Sequence, residues 1–249
     1  MKRIFDLILA FSLLIIFFIP LAVVSFLIFI QDFKSPLYLA PRVAKNDGEF
    51  TMIKLRSMIH NADTNQVDST KKDDVRITFI GKVVRKLKFD ELAQIINVLN
   101  GTMSFVGPRP QVRRDVNLYT NAENEILKAT PGITDFASIV FSDEGNILEG
   151  SNDPDLKYNQ VIRPWKSRLA IFYIRNQSIM LDIKLILLTV YNFLNREKTL
   201  MIISSILSDL NANNSLIEVV KRKNALTPHP PPGSDDIVVS RSQNLNDKK

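Results

Sequence analysis

The middle of the sequence contains two adjacent carboxylates and, about 20 residues later, an arginine between two prolines. Asp90 and Glu91 open the segment FDELAQIINVLNGTMSFVGPRP, and Arg109 lies near its end between two prolines. Neighbouring carboxylates can hold a hard cation such as Mg²⁺, or one of them can attack an electrophile. An arginine on a stiffened backbone loses less entropy when it binds phosphate. A capped helix start and a surface turn explain the same residues without any chemistry.

The composition excludes several other kinds of catalytic site. The 249 residues include no cysteine, which excludes disulfide frameworks and thiolate catalysis. His60 and His229 are the only histidines, so the chain has very few residues from which to build a histidine zinc site or a Ser-His-Asp triad. Any chemistry therefore rests on carboxylates and arginines, with or without a hard metal. The formal net charge of +6 suits an anionic partner, and ordinary solubility charge explains it as well.

A helix is predicted to position the two carboxylates. Asp90 would cap this helix or lie in its first turn, where an anion meets the positive end of the helix dipole. Gly101 is a suitable residue to end it. The apolar positions follow the i, i+3, i+4, i+7 template, and they are Leu92, Ile95, Ile96 and Leu99. Elsewhere, EFTMIKLRSM predicts a short strand or a helix start, and DVRITF predicts a short strand.

A long apolar run occupies residues 4–30 near the N-terminus. As a helix it would be roughly 40 Å long, enough to cross a bilayer core of about 30 Å. Pro20 lies inside the run, and basic residues flank it on both sides, including Lys2 and Arg3. A helix that enters the membrane, bends and leaves by the same face would account for both features. Spanning helices also tolerate proline kinks, so a spanning helix is the preferred interpretation before any resemblance is considered. The residues alone leave both topologies open.

Three charged residues stand at the start of this run. Asp6 lies one helical turn after Lys2 and Arg3, so it can pair with both at the membrane interface. The spacing is consistent with an interfacial anchor and also with a fixed structural triad of these three side chains.

The chain resembles the bacterial sugar transferases, the small monotopic polyprenyl-phosphate phosphoglycosyl transferases. The resemblance covers most of residues 2–190 and is carried by KRIFD, FTMIKLRSM, DVRITFIGKVVRKLKFDELAQIINVLNGTMSFVGPRP, PGIT and SIMLDIKLILLTV. It implies an α/β, mostly α, membrane-associated fold with a re-entrant N-terminal helix broken at Pro20, interfacial amphipathic helices and a small cytosolic catalytic region. Residues 1–33 would form the membrane helix and residues 34–220 the catalytic domain. The Pro-rich and polar composition of residues 221–249 predicts a disordered tail.

The resemblance also implies roles for the residues of the site. Asp90 would be the nucleophile, Glu91 a ligand of Mg²⁺, and Arg109 a phosphate ligand. Arg85 and Arg76 are further candidates for binding phosphate, and a solvated surface explains them nearly as well.

The reaction implied by the resemblance transfers a sugar 1-phosphate from a UDP-sugar to polyprenyl (undecaprenyl) phosphate. It gives polyprenyl diphosphate sugar and UMP through a covalent phosphosugar on Asp90, as the first membrane step of bacterial glycan synthesis. The expected partners are the UDP-sugar, polyprenyl phosphate and the membrane, but not nucleic acid, and oligomer formation is open. The expected location is the bacterial cytoplasmic membrane, with the catalytic part facing the cytoplasm. A non-catalytic membrane-anchored assembly factor and a magnesium-dependent phosphohydrolase are the alternatives.

Three positions depart from the family pattern. Ile19 replaces a serine that often precedes the membrane-helix proline, and Ala93 replaces a proline that is common after the carboxylates. After PGIT the family frequently has glycine, where this chain has Asp135. The continuation from that point suggests a variant subgroup.

Overall fold

Twelve α-helices and four short strands make up residues 1–62 and 74–240, the part of the chain described by the computed structural model. The helices are α1 (Lys2–Asp32), α2 (Phe79–Lys86), α3 (Phe89–Leu92), α4 (Ile95–Asn100), α5 (Arg113–Val116), α6 (Phe136–Val140), α7 (Glu144–Ile147), α8 (Pro154–Lys157), α9 (Arg163–Arg175), α10 (Ile179–Tyr191), α11 (Arg196–Asp209) and α12 (Asn214–Lys221). The strands are β1 (Leu37–Val43), β2 (Glu49–Leu55), β3 (Ser104–Val106) and β4 (Gly132–Thr134). The predicted mostly helical architecture with a long apolar N-terminal helix is confirmed.

The apolar N-terminal run forms one continuous helix, α1, which contains Pro20. Among the described residues, α1 is the helix long and apolar enough to cross a membrane, and only 6% of its most apolar window is buried. The resemblance implies a break at Pro20, whereas helical backbone continues through that residue. The re-entrant course remains a prediction. The exposed face of α1 includes Ile8, Phe11, Ile15, Ile19 and Phe26.

The first turn of α1 binds the catalytic region. Lys2 Nζ forms an ion pair with Asp182 of α10. Arg3 Nη2 donates to the Leu99 carbonyl oxygen at 2.8 Å, at the end of α4. Both side chains therefore tie the start of α1 to elements that are distant in the sequence.

Asp6 is buried, with 3% of its surface exposed. Its carboxylate accepts from Ser104 Oγ at 2.8 Å and from the Phe105 backbone N–H at 3.2 Å, both on β3. The predicted pairing of Asp6 with its helical neighbours is wrong, because the helix start packs into the catalytic region instead of lying free at an interface. A buried carboxylate is stabilised by fixed donors of this kind.

The C-terminal end of α1 also binds the catalytic region. Arg56, which follows β2, donates from Nη2 to Asp32 Oδ1 at 2.6 Å and from Nε to the Ser35 carbonyl oxygen at 2.8 Å. Ile28 is buried in an apolar cluster with Leu55 of β2 and neighbouring side chains of α2 and α3. Both ends of α1 are thus held by one folded region.

The four strands form two separate pairs. Strands β1 and β2 are antiparallel, and β3 and β4 are parallel, with Ser104 opposite Gly132 and Val106 opposite Thr134. The strand predicted for EFTMIKLRSM is confirmed as β2. The strand predicted for DVRITF is wrong, because Ile77 forms only an isolated bridge with Met58 and a helix, α2, begins two residues later.

The apolar core extends across the whole catalytic region. It joins α1, β2, β3 and helices α4, α6 and α9 to α12 into one cluster of buried side chains. Large members of the cluster are Met103, Phe136, Leu169, Leu185 and Leu207. Since α11 and α12 supply buried leucines and valines, they are part of the same folded unit as the residues of the predicted site.

The C-terminal segment corrects the prediction of a disordered tail. Residues between His229 and Val238 contact α9 and the turn before it, and residues 241–249 lie outside the described part of the chain. The imidazole of His229 stacks on the indole of Trp165 with ring centroids 4.4 Å apart. Gln160 Nε2 donates to the Val238 carbonyl oxygen at 2.8 Å. Composition predicted disorder, but these tertiary contacts order the segment.

Candidate active site

The two predicted carboxylates lie in the first turn of α3. Lys88 precedes this helix with a left-handed backbone (φ 57°), which redirects the chain after α2. The single helix predicted from the apolar spacing is two short helices, α3 and α4, separated around Ala93. Gly101 ends α4 with φ 82°, as the sequence predicted.

Arg109 follows the parallel strand pair. A Cβ on Gly107 would lie 3.0 Å from the Gly132 nitrogen and closer still to the Thr130 carbonyl oxygen. Glycine is therefore required here because the backbones after β3 and before β4 approach one another closely. This approach fixes the GPRP segment at the carboxyl end of β3, and Arg109 with it.

The structure brings the two halves of the predicted site together. Arg109 Nη2 donates to Glu91 Oε1 at 2.5 Å, and their side chains are 28% and 15% exposed. Burial alone would raise the pKa of Glu91, but the charges of Arg109, Lys88 and Lys54 hold that pKa well below its usual range. The charge of Glu91 raises the pKa of Arg109 in turn. Glu91 therefore stays ionised and Arg109 stays protonated.

Asp90 has the opposite electrostatic setting. Burial, followed by the charge of Glu91, raises the pKa of Asp90, while the charges of Lys54, Lys88 and Arg85 act against this rise. Its Oδ1 atom is buried and has no hydrogen-bond partner among the described residues. Buried carboxylate oxygens normally have a partner, so this atom is available to a cation or a substrate.

The donor set fits Mg²⁺. No cluster of three or more potential metal ligands occurs among the residues that the structure describes. Mg²⁺ in phosphoryl-transfer sites is commonly held by one or two carboxylates together with substrate phosphate oxygens, so a larger protein cage is unnecessary. Asp90, with its unpartnered oxygen, and Glu91 supply hard oxygen ligands of this type.

Sequence reasoning missed Lys54 as a site residue. It lies on β2, and its charge acts on the pKa values of Asp90 and Glu91. Burial and then the charge of Arg109 lower the pKa of Lys54 to about 8. A signal was present, because side chains alternate along a strand and Lys54 shares the face of the buried Phe50 and Met52.

The two further arginine candidates lie in different settings. Arg85 is in the last turn of α2, and its charge lowers the pKa of Asp90, so it contributes to the field at the carboxylates. Arg76 Nη2 lies 2.6 Å from Asp74 Oδ2, and Arg76 Nη1 donates to the Ala62 carbonyl oxygen at 3.0 Å. Arg76 thus takes part in a local ion pair, and a phosphate-binding role for either arginine stays a prediction.

A cleft of about 530 Å³ is lined by Lys54 and Arg109 of the predicted site, whereas Asp90 and Glu91 are not among its lining residues. Part of its lining comes from Glu144 at the start of α7 and from Tyr158 and Asn159 in the turn before α9. Its size and charge suit a nucleoside diphosphate ligand. Basic side chains in its lining outnumber acidic ones. The basic ones are Arg42, Lys54, Arg109, Arg114 and Lys166, and the acidic ones are Asp115, Glu144 and Asp155.

Comparisons with known proteins identify the family of this chain. The family model described as "Bacterial sugar transferase" matches residues 1–196. The chain is 37% identical over 197 residues to an undecaprenyl-phosphate glucose phosphotransferase of Komagataeibacter xylinus, covering 76% of this chain and 35% of the relative. It is 31% identical over 210 residues to the exopolysaccharide production protein ExoY of Sinorhizobium fredii, covering 76% and 83%. A UDP-N-acetylgalactosamine-undecaprenyl-phosphate N-acetylgalactosaminephosphotransferase of Aeromonas hydrophila is 31% identical over 163 residues, covering 64% and 35%.

Proposed function

Since the chain belongs to the bacterial sugar transferase family, as its sequence predicted, we propose that it transfers a sugar 1-phosphate from a UDP-sugar to undecaprenyl phosphate. The products are undecaprenyl diphosphate sugar and UMP. Two of the relatives are named for transfer to undecaprenyl phosphate, with glucose and N-acetylgalactosamine as their sugars. The observation that carries the proposal is the unpartnered Asp90 oxygen beside the Glu91–Arg109 ion pair.

In the first proposed step, a carboxylate oxygen of Asp90 attacks the phosphorus atom that bears the sugar. An oxygen–phosphorus bond forms to Asp90, the bond from that phosphorus to the bridging oxygen of UMP breaks, and UMP leaves with the electron pair. The availability of Asp90 Oδ1 supports this role. The nearby charges of Lys54, Lys88 and Arg85 favour the ionised carboxylate that the attack requires.

In the second proposed step, an oxygen of undecaprenyl phosphate attacks the same phosphorus atom and releases Asp90. The acceptor phosphate lies at the level of the lipid headgroups, so the site must lie there too. Helix α2 supports this placement, because Phe79, Val83 and Leu87 form an exposed apolar stripe that leads directly into α3. An exposed apolar stripe beside lysines is typical of helices that lie in a membrane interface.

Arg109 and Lys54 are the cations that stabilise negative charge on the transferred phosphoryl group in this proposal. Both line the cleft, and the ion pair with Glu91 holds the Arg109 guanidinium in place before substrate binds. Fixed cations in a partly desolvated site stabilise a phosphoryl transition state more than mobile surface cations do.

Asp90 and Glu91 are the residues that would hold Mg²⁺, which when bound supplies charge neutralisation and polarisation of the phosphoryl group. We expect excess EDTA to abolish transfer, and added Mg²⁺, or Mn²⁺ as a substitute, to restore it. Full activity in excess EDTA would contradict the metal requirement while leaving the nucleophile untested by that experiment.

The membrane arrangement is also a proposal. Lys2 and Arg3 at one end of α1, and Asp32 at the other, all bind the same catalytic region. This supports a re-entrant helix, whose two ends lie on one side of the membrane. The side we propose is the cytoplasmic side of the bacterial inner membrane, as the family resemblance implies. The reaction then serves as the first membrane step of a bacterial glycan.

The nucleophile is tested with the Asp90→Asn variant and the matched control Asp209→Asn, whose side chain is exposed at the end of α11. Transfer should fall by roughly a thousandfold or more in Asp90→Asn, because the attacking atom is lost, and remain unchanged in the control. Intact-mass measurement of the wild type with a panel of UDP-sugars should detect a phosphosugar adduct that Asp90→Asn lacks.

The same assay separates the alternatives. An active Asp90→Asn variant together with no adduct on the wild type would reject the proposed mechanism. Continuous turnover of the donor without undecaprenyl phosphate would indicate a phosphohydrolase. Absence of any turnover by the wild type across the donor panel would indicate a non-catalytic protein.

A further inference from the structure

The segment after α12 packs behind the turn that lines the cleft, although it lies beyond the family match, which ends at residue 196. We name residues 226–240 the C-terminal strap. The strap accepts and donates hydrogen bonds at several points along its length. Its bonds join His229 N–H to the Gln160 carbonyl oxygen (2.9 Å), Gln160 Nε2 to the Val238 carbonyl oxygen (2.8 Å), Arg168 Nη1 to the Pro230 carbonyl oxygen (2.9 Å), and Thr120 Oγ1 to the Pro232 carbonyl oxygen.

The strap binds the chain where its helical hydrogen bonding is interrupted. Residues Tyr158–Ile162 form a π-helical turn that leads into α9. Pro164 lies four residues after Gln160 and has no N–H group, so the Gln160 carbonyl oxygen lacks its usual α-helical donor. The backbone N–H of His229 takes the place of that donor. The strap therefore completes the hydrogen bonding of this turn.

The other face of the same turn lines the cleft. Tyr158 and Asn159 are lining residues, and they immediately precede Gln160. Lys166 Nζ lies 5.3 Å from the centre of the Tyr158 ring and also pairs with Glu144, a further lining residue. Any shift of the π-helical turn would therefore move side chains at the ligand-facing surface.

A stack of three side chains fixes the strap on α9. The imidazole of His229 lies on the indole of Trp165 with an interplanar angle of 21°, and the Arg168 guanidinium lies 5.3 Å from the centre of the indole ring. Burial, and then the charge of Arg168, lower the pKa of His229. Stacking and cation–π contacts of this kind add specific geometry to simple burial.

We propose that the C-terminal strap is a positioning element for the donor substrate, with His229 as its principal positioning residue. By holding Gln160 and Trp165, the strap keeps Tyr158 and Asn159 in the arrangement that binds the nucleotide sugar. The proposal rests on the proposed function for the identity of the donor. It gives the segment outside the family match an indirect role in donor binding, through the turn that lines the cleft.

Docking of the strap can be measured without any turnover. Trp165 is the only tryptophan in the chain, so its fluorescence reports this stack alone. We expect His229→Ala to change the emission of Trp165 and His229→Phe to preserve a stacked environment. His60→Ala, at the only other histidine, is the matched control and should leave the emission unchanged.

The positioning role is measured by separating KM from kcat. In His229→Ala the KM for the UDP-sugar should rise roughly threefold to tenfold, the effect of losing one stacking contact, while kcat stays within about twofold. His229→Phe should restore KM, and His60→Ala should not alter it. Binding of UDP, measured by calorimetry on the same proteins, gives the comparison without catalysis and so distinguishes failure of this proposal from failure of the proposed function.

Two outcomes would overturn the positioning role. One is a changed Trp165 emission in His229→Ala with unchanged KM and unchanged UDP affinity, which would make the strap a structural cover only. The other is an equal loss in kcat and in thermal stability without a change in KM. If His229→Ala does not fold, Gln160→Met removes the bond to Val238 and is subject to the same criteria.

Discussion

Asp90 and Glu91 are adjacent in one short helix, yet their pKa values move in opposite directions. Burial and the charge of Glu91 raise the pKa of Asp90. The pKa of Glu91 is lowered, because the positive charges of Arg109, Lys88 and Lys54 have a larger effect on it than burial does. Carboxylates whose environments separate them in this way commonly take different chemical roles. The division supports Asp90 as the group that reacts and Glu91 as the permanently charged group that orients Arg109 and a cation.

Lys54 gives the site a pH dependence on the alkaline side. Its pKa is lowered to about 8, so Lys54 is charged below that pH and loses its proton as the pH rises through it. We expect kcat/KM for the UDP-sugar to fall above about pH 8, because a cation facing the diphosphate is lost. A profile from about pH 6.5 to 9.5 measures this.

Substitutions at Lys54 test whether this residue causes the fall in kcat/KM at alkaline pH, called here the alkaline limb of the profile. Lys54→Arg should keep its charge throughout the range and remove the limb, whereas Lys54→Met should lower kcat/KM by roughly tenfold or more and also remove the limb. Lys45→Met, at an exposed lysine, is the control and should match the wild type. An unchanged alkaline limb in Lys54→Met would show that another group titrates there.

At the level of helices and strands, the sequence predicted those features that depend on local pattern. The alternation of side chains predicted β2, and Gly101 was predicted to end the helix that it does end. The parallel pairing of β3 with β4 was not, because each strand has three residues and the partners are far apart in the sequence. The site depends on this pairing, since it holds Arg109 against Glu91.

Local pattern also gave wrong answers where distant contacts decide the structure. Helical spacing predicted that Asp6 pairs with Lys2 and Arg3, but donors on β3 bind Asp6. Polar, Pro-rich composition predicted disorder after α12, but carbonyl oxygens of that segment bind side chains near α9. In both cases the deciding partner lies more than 60 residues away, which no short window of sequence contains.

The close approach of the two strand ends makes Gly107 a test of how Arg109 is positioned. In Gly107→Ala the new methyl group would meet backbone atoms of Thr130 and Gly132, which cannot rotate away as a side chain would. We expect a loss of about 1–3 kcal/mol in the free energy of unfolding, together with reduced transfer. Thermal unfolding and the transfer assay measure the two effects.

Gly48→Ala is the matched control, because its nearest contact would be an ordinary 3.5 Å. The control should keep both stability and activity. If Gly107→Ala does the same, the close approach does not set the position of Arg109, and the prolines on either side of that arginine would have to do so.

At the scale of the whole molecule, α1 is bound to the catalytic region at both ends. Its 31 residues make a helix of roughly 46 Å, which exceeds a hydrocarbon core of about 30 Å. A spanning helix would carry its two ends to opposite faces of the bilayer. The contact of Arg3 with α4 and the contact of Asp32 with Arg56 would then be on opposite sides, although α4 and Arg56 belong to one folded region. A helix that stays on one side of the membrane keeps all of these contacts.

Cysteine labelling tests this topology directly, because the chain contains no native cysteine. One cysteine is placed in a short tag ahead of Met1, and another replaces Lys34, whose side chain makes no ion pair among the described residues and lies just beyond α1. These positions spare Lys2, Arg3 and Asp32, so the contacts that hold the helix remain. A membrane-impermeant thiol reagent added to intact cells should label neither cysteine, and both should become labelled after lysis, since a re-entrant helix keeps its two ends in the cytoplasm. Labelling of one cysteine alone from outside would instead establish a spanning helix, in which the contacts at the two ends of α1 cannot exist together in the membrane.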